Sequence, residues 1–508
     1  MKANRFWRAA SGSSRGRFHS LLLILLLFLP AYRVGSIGEA VLRIAVPVFP
    51  DNLNPVYLTD ETSQAVANKI YHSLFNYDAR GNLVNELAAD WRLVPEGVLI
   101  NLKRGFYFSD GRELDAADVV NTINLLRDPA YAYPYRSGLE FIAGLRELDR
   151  QRILLRFREE FAPWRSYLTC KILSAREIND LDPADFRRLR PRGSGPFMIR
   201  EVREPASIEL LANPFYSEKP AFTRLVYQVV RDGGQQSLKL LAGEVDAAEL
   251  QPEEVRAYRS NPGWSRKFLL SAFQKTGYTY LAFNLDRPRI ERELRQAIRN
   301  HLFNSGFLEK FLDGDGRPVF SPFPPLVDEE CGDVGSGVTA LSEKVTLTVM
   351  TNSESRLRRN LVLFLARELA ALNLELKPVF LEYKSFLAAM REGRFDLAVS
   401  GFVLDADYDI TEILGGGGSA NYFAYASPAM DDLLAAGRRE MNPLCRRTIY
   451  LEAQRLWSRD LPFLPLFSLY YHVGISRKLL LPPEPVRRIT SCGDFFADLR
   501  GWGYRSIE

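Results

Sequence analysis

The chain has 508 residues, 46% of them hydrophobic and 25% charged, so it is long and apolar enough to bury large cores in two or more lobes. Its formal net charge is +4, but the first 36 residues hold six basic residues and no acid. The remainder has 60 Lys and Arg against 62 Asp and Glu, so net charge gives no case for a nucleic-acid partner.

The N-terminal segment has the pattern of a secretory signal. Basic residues precede an unbroken apolar run at positions 21–29, which Pro30 closes. Nine residues in a helix rise only about 14 Å, short of the roughly 30 Å hydrocarbon layer of a membrane. The sequence therefore predicts a signal peptide over residues 1–36, with cleavage between Ser36 and Ala40. Without cleavage the protein would stay tethered at the membrane.

Residues 87–123 give the clearest local prediction of secondary structure. The alternating apolar side chains of 98–102 predict a half-buried strand, and the aromatic residues 106–108 predict a second one. A turn of Asp and Gly follows. Asp115 stands three residues before a second acid, Asp118, which predicts a helix N-cap with negative charge in the first turn, where the helix dipole favours it.

The order of these pieces closely resembles the signature of the extracellular solute-binding proteins of family 5. The matching residues are Leu87, Ala88, Trp91, Arg104, Phe108, Asp110, Gly111, Ala116, Asp118, Val119 and Val120. Further short motifs match in the family's order, namely Leu53-Asn54-Pro55, Gly193-Ser194-Gly195-Pro196-Phe197, Asn213-Pro214-x-Tyr216, Ala242-Gly243-Glu244-Val245-Asp246, Phe283-Asn284 and Leu294-Arg295-Gln296-Ala297-Ile298.

The resemblance implies a fold and a domain organisation. The fold would be the α/β periplasmic binding protein fold of the large, three-domain type, with a hinge and a ligand cleft between two lobes. Domain I would combine residues 41–57, 192–275 and 472–508. Domain II would be residues 58–191. Domain III would be residues 276–471 and would form the second ligand-binding lobe, with the ligand enclosed between domains I and III.

The resemblance also implies a function. The protein would be a periplasmic receptor of an ABC importer that binds a small peptide-like ligand and delivers it to the inner-membrane permease. Such a receptor leaves its ligand chemically unchanged and needs no cofactor, metal or nucleic acid. A monomer is sufficient for this role.

The clearest regular pattern lies in the C-terminal half. Strands are predicted at 345–350, 374–380 and 395–402, and helices at 357–372 and 385–391. This alternation implies an α/β sheet with parallel pairs of strands. Because ligands gather at the carboxyl ends of such strands, we expect the binding site just after the third of these strands.

Three acids at alternate positions follow that strand. In peptide-binding relatives an Asp at this point pairs with the α-amino group of the ligand, and Asp405 is the closest positional match. An enclosed ammonium–carboxylate pair is a strong, charge-assisted contact that rejects ligands lacking the charge. Asp407 and Asp409 are alternative anchors, although acids in this pattern could equally form a solvated loop or cap the next helix.

Three further residues complete the predicted ligand-binding set. By analogy Asn284 is the polar contact on the opposite wall, with a strand-end hydrogen bond as the alternative interpretation. Phe402 stands where family members often have Trp. Tyr422 could stack on ligand side chains, although aromatic residues at this density are often part of a core.

Neither the cysteines nor the histidines have the spacing of a metal site. The four cysteines are Cys170, Cys331, Cys445 and Cys492, and their spacing matches no zinc-binding or C-x-x-C motif. In an oxidising periplasm they could form one or two disulfides, in three full pairings that the sequence does not rank, or remain thiols. No histidine pair has the spacing of a metal site, so we expect no metal and no cofactor.

Two other classes of protein fit the sequence poorly. A hydrolase would need a positioned nucleophile or carboxylate pair, and the sequence has no G-x-S-x-G motif. A regulator with a helix-turn-helix would need room that the short stretch between Pro30 and Leu53 does not offer. Within the receptor class, residues 405–409 lack the Pro of the usual Asp-Tyr-x-Asp-Pro motif. A metal chelate, opine or oligosaccharide is therefore the alternative ligand.

Overall fold

The computed structural model describes residues 40–58, 60–179, 181–326, 341–490 and 493–505. The signal peptide predicted at 1–36 therefore lies outside the described residues, as do Cys331 and Cys492. From Val41 onwards the chain forms one compact unit.

Strands are distributed along the whole described chain. In chain order they are β1 (Val41–Val46), β2 (Phe75–Tyr77), β3 (Leu83–Asn85), β4 (Ala88–Val94), β5 (Gly97–Leu102), β6 (Ile142–Asp149), β7 (Arg152–Phe157), β8 (Phe197–Arg203), β9 (Ser207–Ala212), β10 (Arg224–Val229), β11 (Ala247–Leu250), β12 (Phe268–Lys275), β13 (Gly277–Phe283), β14 (Gly316–Pro318), β15 (Val345–Asn352), β16 (Leu374–Leu381), β17 (Leu397–Val403), β18 (Phe463–Ser476), β19 (Leu479–Leu480), β20 (Arg488–Ile489) and β21 (Gly503–Tyr504).

Helices alternate with these strands. The α-helices are α1 (Glu61–Ile70), α2 (Ala116–Arg127), α3 (Ala175–Ile178), α4 (Pro183–Phe186), α5 (Gly233–Ala242), α6 (Pro252–Arg259), α7 (Pro262–Lys267), α8 (Arg292–Asn304), α9 (Phe307–Leu312), α10 (Arg356–Glu368), α11 (Tyr383–Arg391), α12 (Thr411–Leu414), α13 (Pro428–Arg439) and α14 (Pro443–Asp460). Short 3-10 helices cover Pro129–Tyr131, Arg136–Leu139, Ala162–Leu168, Pro324–Leu326 and Leu369–Leu372.

One large mixed sheet organises the molecule. Its strand order is β16-β15-β17-β13-β18-β11-β1-β10-β9-β8, and β12 pairs with β18 off this path. The long strand β18 pairs with β13 through residues 463–467 and with β12 through residues 470–476. The domain boundary predicted at 275/276 falls between β12 and β13, and the one predicted at 471/472 falls inside β18. β18 therefore runs without interruption from the predicted domain III into the predicted domain I.

The segment 87–123 folds as predicted except for one strand. Strand β5 is present, whereas the strand predicted at 106–108 is wrong. A tight turn takes its place, because the Phe108 amide donates to the Arg112 carbonyl and the Gly111 amide to the Phe108 carbonyl. Tyr107 keeps only an isolated bridge to Glu113. The turn closes too early for a second strand to extend.

The predicted N-cap at Asp115 is confirmed and forms a capping box. The Asp115 side chain accepts from the Ala117 amide, and the Asp118 carboxylate accepts from the Asp115 amide at 3.0 Å. Asp118 is completely buried, and it also accepts from both terminal nitrogens of Arg112 and from the Ala175 amide. This acid therefore joins the helix start to two other segments.

The predicted C-terminal α/β pattern is also confirmed. β15 pairs in parallel with β16 and β17, and helices α10 and α11 make the connections. The apolar face of α10 is buried through Leu361, Val362 and Leu365. These side chains pack into a large core with the sheet, where each fully buried aliphatic side chain contributes about 1.5–3 kcal/mol.

Some expectations concern chemistry rather than fold. Cys445 is exposed and carries a free thiol, so the alternative with two disulfides is wrong. Over the described ranges, no cluster of three or more His, Cys, Asp and Glu could hold a metal ion. None of the helices in these ranges is long and apolar enough to cross a membrane.

His72 gives the fold a pH dependence. It lies just after α1, buried, with Nδ1 3.0 Å from the Ser194 hydroxyl and its ring stacked on Tyr216. Burial lowers the pKa of His72 below its ordinary value, so this ring is neutral in the folded state near pH 7. The unfolded chain takes up a proton near pH 6.5, so stability is lost as pH falls below that value.

We expect the urea midpoint of unfolding to fall between pH 7.5 and pH 5.5, and to fall less in His72→Asn. The buried His472, whose pKa burial also lowers, keeps part of the dependence in that variant. Chemical denaturation at the two pH values measures the difference. An equal drop in both proteins would remove His72 as a cause.

Candidate ligand-binding cleft

A cavity of about 1340 Å³ lies between two walls of the protein. One wall comes from residues 55–64 and 126–171, and the other from residues 403–439. Asp405 lies in the second wall. The cavity is therefore built by segments that are far apart in the sequence, as a ligand cleft between lobes requires.

The end of β17 brings Asp405 to this cleft. β17 runs antiparallel to β13, with Val403 opposite Gly277, where the chain passes from β12 to β13. A side chain at Gly277 would place its Cβ 2.1 Å from the Phe402 carbonyl oxygen, so only Gly permits this close pairing. Val403 is 69% exposed on the cleft side of this strand end.

The three predicted acids have three different environments. Asp405 is exposed and lines the cavity. Asp407 forms a bidentate ion pair with Arg446, with oxygen–nitrogen distances of 2.6 and 2.8 Å. Burial alone would lower the pKa of Arg446, but the hydrogen bonds and charge of Asp407 raise it above its ordinary value. The carboxylate of Asp407 therefore already has a charged partner within the protein, the guanidinium of Arg446.

Asp409 hydrogen-bonds the first residue of the helix that follows it, and capping of that helix is one of the alternatives that the sequence offered for these acids. One of its oxygens accepts from the amide and the hydroxyl of Thr411, at the start of α12, and the other lies 3.1 Å from Nε of Arg438. The side chain is nearly buried. The structure therefore brings Asp405, rather than Asp407 or Asp409, to the surface of the cavity.

Phe402 and Tyr422 belong mainly to the core. The Phe402 ring stacks on Tyr280 with 4.4 Å between centroids, and Tyr422 is partly buried against the same apolar cluster. Neither is among the residues that line the cavity with Asp405. Their packing explains why aromatic residues are dense in this part of the sequence.

Asn284 lies at the other end of the sheet from Asp405. It directly follows Phe283, which pairs with Leu397 at the start of β17. Its buried side chain donates to the carbonyls of Gly393 and Phe395 and accepts from the Asp286 amide. Asn284 therefore makes the strand-end hydrogen bonds that were the alternative interpretation of this residue. It does not line the cavity with Asp405.

The opposite wall of the cleft was not predicted from the sequence. Residues 133–141 and 158–171 contribute to it, and none of the short motifs quoted from the sequence falls on them. The run Tyr-Ala-Tyr-Pro-Tyr at 131–135 was the available signal, because clustered aromatic residues in a loop are unusual without a partner. Burial, and to a smaller extent the charge of Asp409, raise the pKa of Tyr167 above its ordinary value.

Two arginines of α13 contact the opposite wall directly. Arg439 forms an ion pair with Glu159 at 3.2 Å, and the guanidinium of Arg438 lies over the Phe161 ring at 5.2 Å. Arg165 approaches from the other side, where burial lowers its pKa and the charge of Asp407 opposes that shift. The two walls are thus in contact beside the cavity.

Comparison with known proteins agrees with this architecture. Residues 82–421 match the model of the bacterial extracellular solute-binding proteins, family 5 middle. The chain belongs to this family. The resemblance found in the sequence is thereby confirmed.

Relatives of this family 5 protein match along most of its length. The oligopeptide-binding protein AppA of Bacillus subtilis is 23% identical, over 86% of this chain and 85% of AppA. The ABC transporter substrate-binding protein CtaP of Listeria monocytogenes has the same fold, with a TM-score of 0.81 at 18% identity, covering 92% of this chain and 99% of CtaP. NikZ of Campylobacter jejuni, in complex with Ni(L-His), gives 0.74 at 19% identity, covering 92% of this chain and 100% of NikZ.

These matches confirm the predicted fold class, the α/β periplasmic binding protein fold. Members of family 5 are named for solute binding, which is a receptor activity and not a catalytic one. The cavity between residues 55–171 and 403–439 is therefore the candidate solute site of this family 5 protein.

Proposed function

We propose that this family 5 protein is the peptide receptor of an ABC importer. It binds a peptide in the cleft beside Asp405, leaves it chemically unchanged and delivers it to the inner-membrane permease. The observation that carries the proposal is the position of Asp405, since it lines the cavity while Asp407 and Asp409 are held by Arg446 and Arg438.

A carboxylate on the wall of a cleft suits the α-ammonium group at the start of a peptide. Such a pair forms charge-assisted hydrogen bonds, which fix one end of the ligand. The remaining affinity would come from enclosure and from water-filled side-chain pockets, which tolerate many sequences. AppA, named as an oligopeptide-binding protein, supports the same solute class.

Location and mechanics belong to the same proposal. Residues 1–36 would direct export, and the mature protein would act in the periplasm as a monomer. The lobes would be domains I and II on one side and domain III on the other, joined at the β12–β13 junction and within β18. Rotation about these two connections would open and close the cleft.

A second solute class has a specific observation in its favour. NikZ shares the fold and is described in complex with Ni(L-His), a metal chelate. Residues 405–409 also lack the Pro that usually ends the loop motif. A non-peptide solute such as a metal chelate, opine or oligosaccharide is therefore the alternative ligand for the same cleft.

Native mass spectrometry of protein purified from periplasm tests the proposal. The complex is weighed intact, then denatured, and the released molecules are identified. We expect a mixture of peptides. A single non-peptide mass would keep the receptor class and overturn the peptide assignment.

A further inference from the structure

A second, small cavity lies at the junction of β12 and β13. It measures about 20 Å³, which is room for one water molecule or one monatomic ion and for no organic solute. Three strands contribute polar side chains to it, namely Gln274 of β12, Arg317 of β14 and Arg488 of β20. Among the described residues, none lines both this cavity and the large one with Asp405. The small cavity is therefore a separate feature of the fold.

Gln274 has a buried hydrogen-bond donor without a partner. Its side-chain oxygen Oε1 accepts from Nε of Arg317 at 3.0 Å, which fixes the orientation of the amide group. The residue is only 9% exposed, and its nitrogen Nε2 has no hydrogen-bond partner among the described residues. Because buried polar groups are nearly always hydrogen-bonded, this donor favours an acceptor in the cavity that Gln274 lines.

The charges around the cavity are positive. Arg317 and Arg488 are both half-buried, and no Asp or Glu is among the described residues that line the cavity. Burial, and after it the charge of Arg488, lower the pKa of Arg317 below its ordinary value. An anion relieves the repulsion between the two guanidinium groups, whereas a neutral water molecule leaves it in place.

Lys275 also lines the cavity, but its charge is already compensated. Its ammonium group lies 2.7 Å from both carboxylate oxygens of Glu61 and over the Tyr471 ring at 4.4 Å. Successive side chains of a strand point to opposite faces of a sheet, so the side chains of Lys275 and Gln274 diverge. Two guanidinium groups and one amide nitrogen thus remain as donors to an anion.

We propose that this cavity binds a small inorganic anion of the size of chloride. The guanidinium groups of Arg317 and Arg488 and the side-chain amide of Gln274 donate to it. Arg317 belongs to the predicted domain III, whereas Gln274 and Arg488 belong to the predicted domain I. The anion joins these two domains at the connection about which the lobes are proposed to rotate. This role does not depend on which solute the large cavity takes.

Urea unfolding at constant ionic strength tests the anion site. Sodium chloride replaces sodium gluconate, whose organic anion is too large for the cavity. A ligand that binds only the folded state raises the folding equilibrium constant by the factor 1 + [L]/Kd, so a Kd of about 10 mM gives about a tenfold rise between about 10 and 200 mM chloride. A crystal soaked in sodium bromide should show an anomalous peak beside Arg317 and Arg488.

Two variants assign the effect to this cavity. Arg317→Gln removes one guanidinium group and should abolish the chloride dependence. Gln274→Glu supplies a carboxylate in place of the anion, so it should also abolish the dependence and should raise the urea midpoint in gluconate. A buried carboxylate without such cations would lower that midpoint. Arg487→Gln is the matched control, because Arg487 is exposed next to Arg488 and does not line the cavity.

The outcomes decide both the binding and its place. Loss of the chloride effect in the first two variants, with its retention in Arg487→Gln, would support the site. Equal midpoints of the unmodified protein in chloride and gluconate would mean that no anion binds, and an equal chloride effect in all three variants would place the anion elsewhere. Either result overturns the inference and leaves the proposed function intact. If Arg317→Gln does not fold, Gln274→Glu and the bromide peak decide.

Discussion

Asp405→Asn is expected to weaken peptide binding about 10- to 150-fold. The substitution keeps the size of the side chain but replaces a charge-assisted hydrogen bond to the ligand's ammonium group by a neutral one. Hydrogen bonds to charged groups contribute about 1.5–3 kcal/mol, which corresponds to this range of affinity. Titration calorimetry with peptides released from the native complex measures the change.

An acetylated peptide shows whether the lost contact is the one to the ammonium group. Acetylation should weaken binding to the unmodified protein by a similar factor and should cost nothing further in Asp405→Asn, because the two changes remove one interaction. Asp432→Asn controls for net charge, since Asp432 is exposed on α13 and does not line the cavity. Full peptide affinity in Asp405→Asn would eliminate Asp405 as the anchor.

Asp118→Ala is expected to destabilise the protein by about 3 kcal/mol or more. The Asp118 carboxylate is completely buried and accepts hydrogen bonds from Arg112, from the Asp115 amide and from the Ala175 amide. Removing it leaves one buried and one partly buried amide unsatisfied and a partly buried guanidinium without its counter-charge, and each of these costs free energy. The urea midpoint of unfolding should fall accordingly.

Asp149→Ala is the matched control for this stability effect. Asp149 also accepts from a backbone amide and pairs with an arginine, Arg152, but it does so at the surface. Surface pairs of this kind contribute about 0–1 kcal/mol, so the control should change the midpoint little. Similar midpoints for the two variants would show that the buried network of Asp118 is not what stabilises this region.

Features that depend on spacing within one chain segment could be predicted from the sequence. Asp115 and Asp118 are predicted as a capped helix start because their roles depend on a separation of three residues. The strands and helices of 345–402 are predicted for the same reason, since period and chain order determine them. The strand predicted at 106–108 is wrong because a tight turn competes for the same backbone groups.

The acids of the candidate site are equivalent in the sequence and different in the structure. Asp405, Asp407 and Asp409 share residue type and spacing, and only packing separates them. Arg446 on α14 binds Asp407, and Arg438 on α13 binds Asp409, and of these three acids Asp405 is the one that lines the cavity. Neither arginine could be assigned to its partner from the sequence alone.

By itself, the sequence determined the family and the α/β fold class, and it predicted the segment after β17 as the place of the site. These are properties of local periodicity and of motifs in a fixed order. Only the tertiary structure decided that Asn284 lies at the far end of β17 and that residues 133–141 and 158–171 line the same cavity as Asp405. The reason is that burial, ion pairing and cavities arise between segments far apart in the chain, where no sequence spacing records the contact.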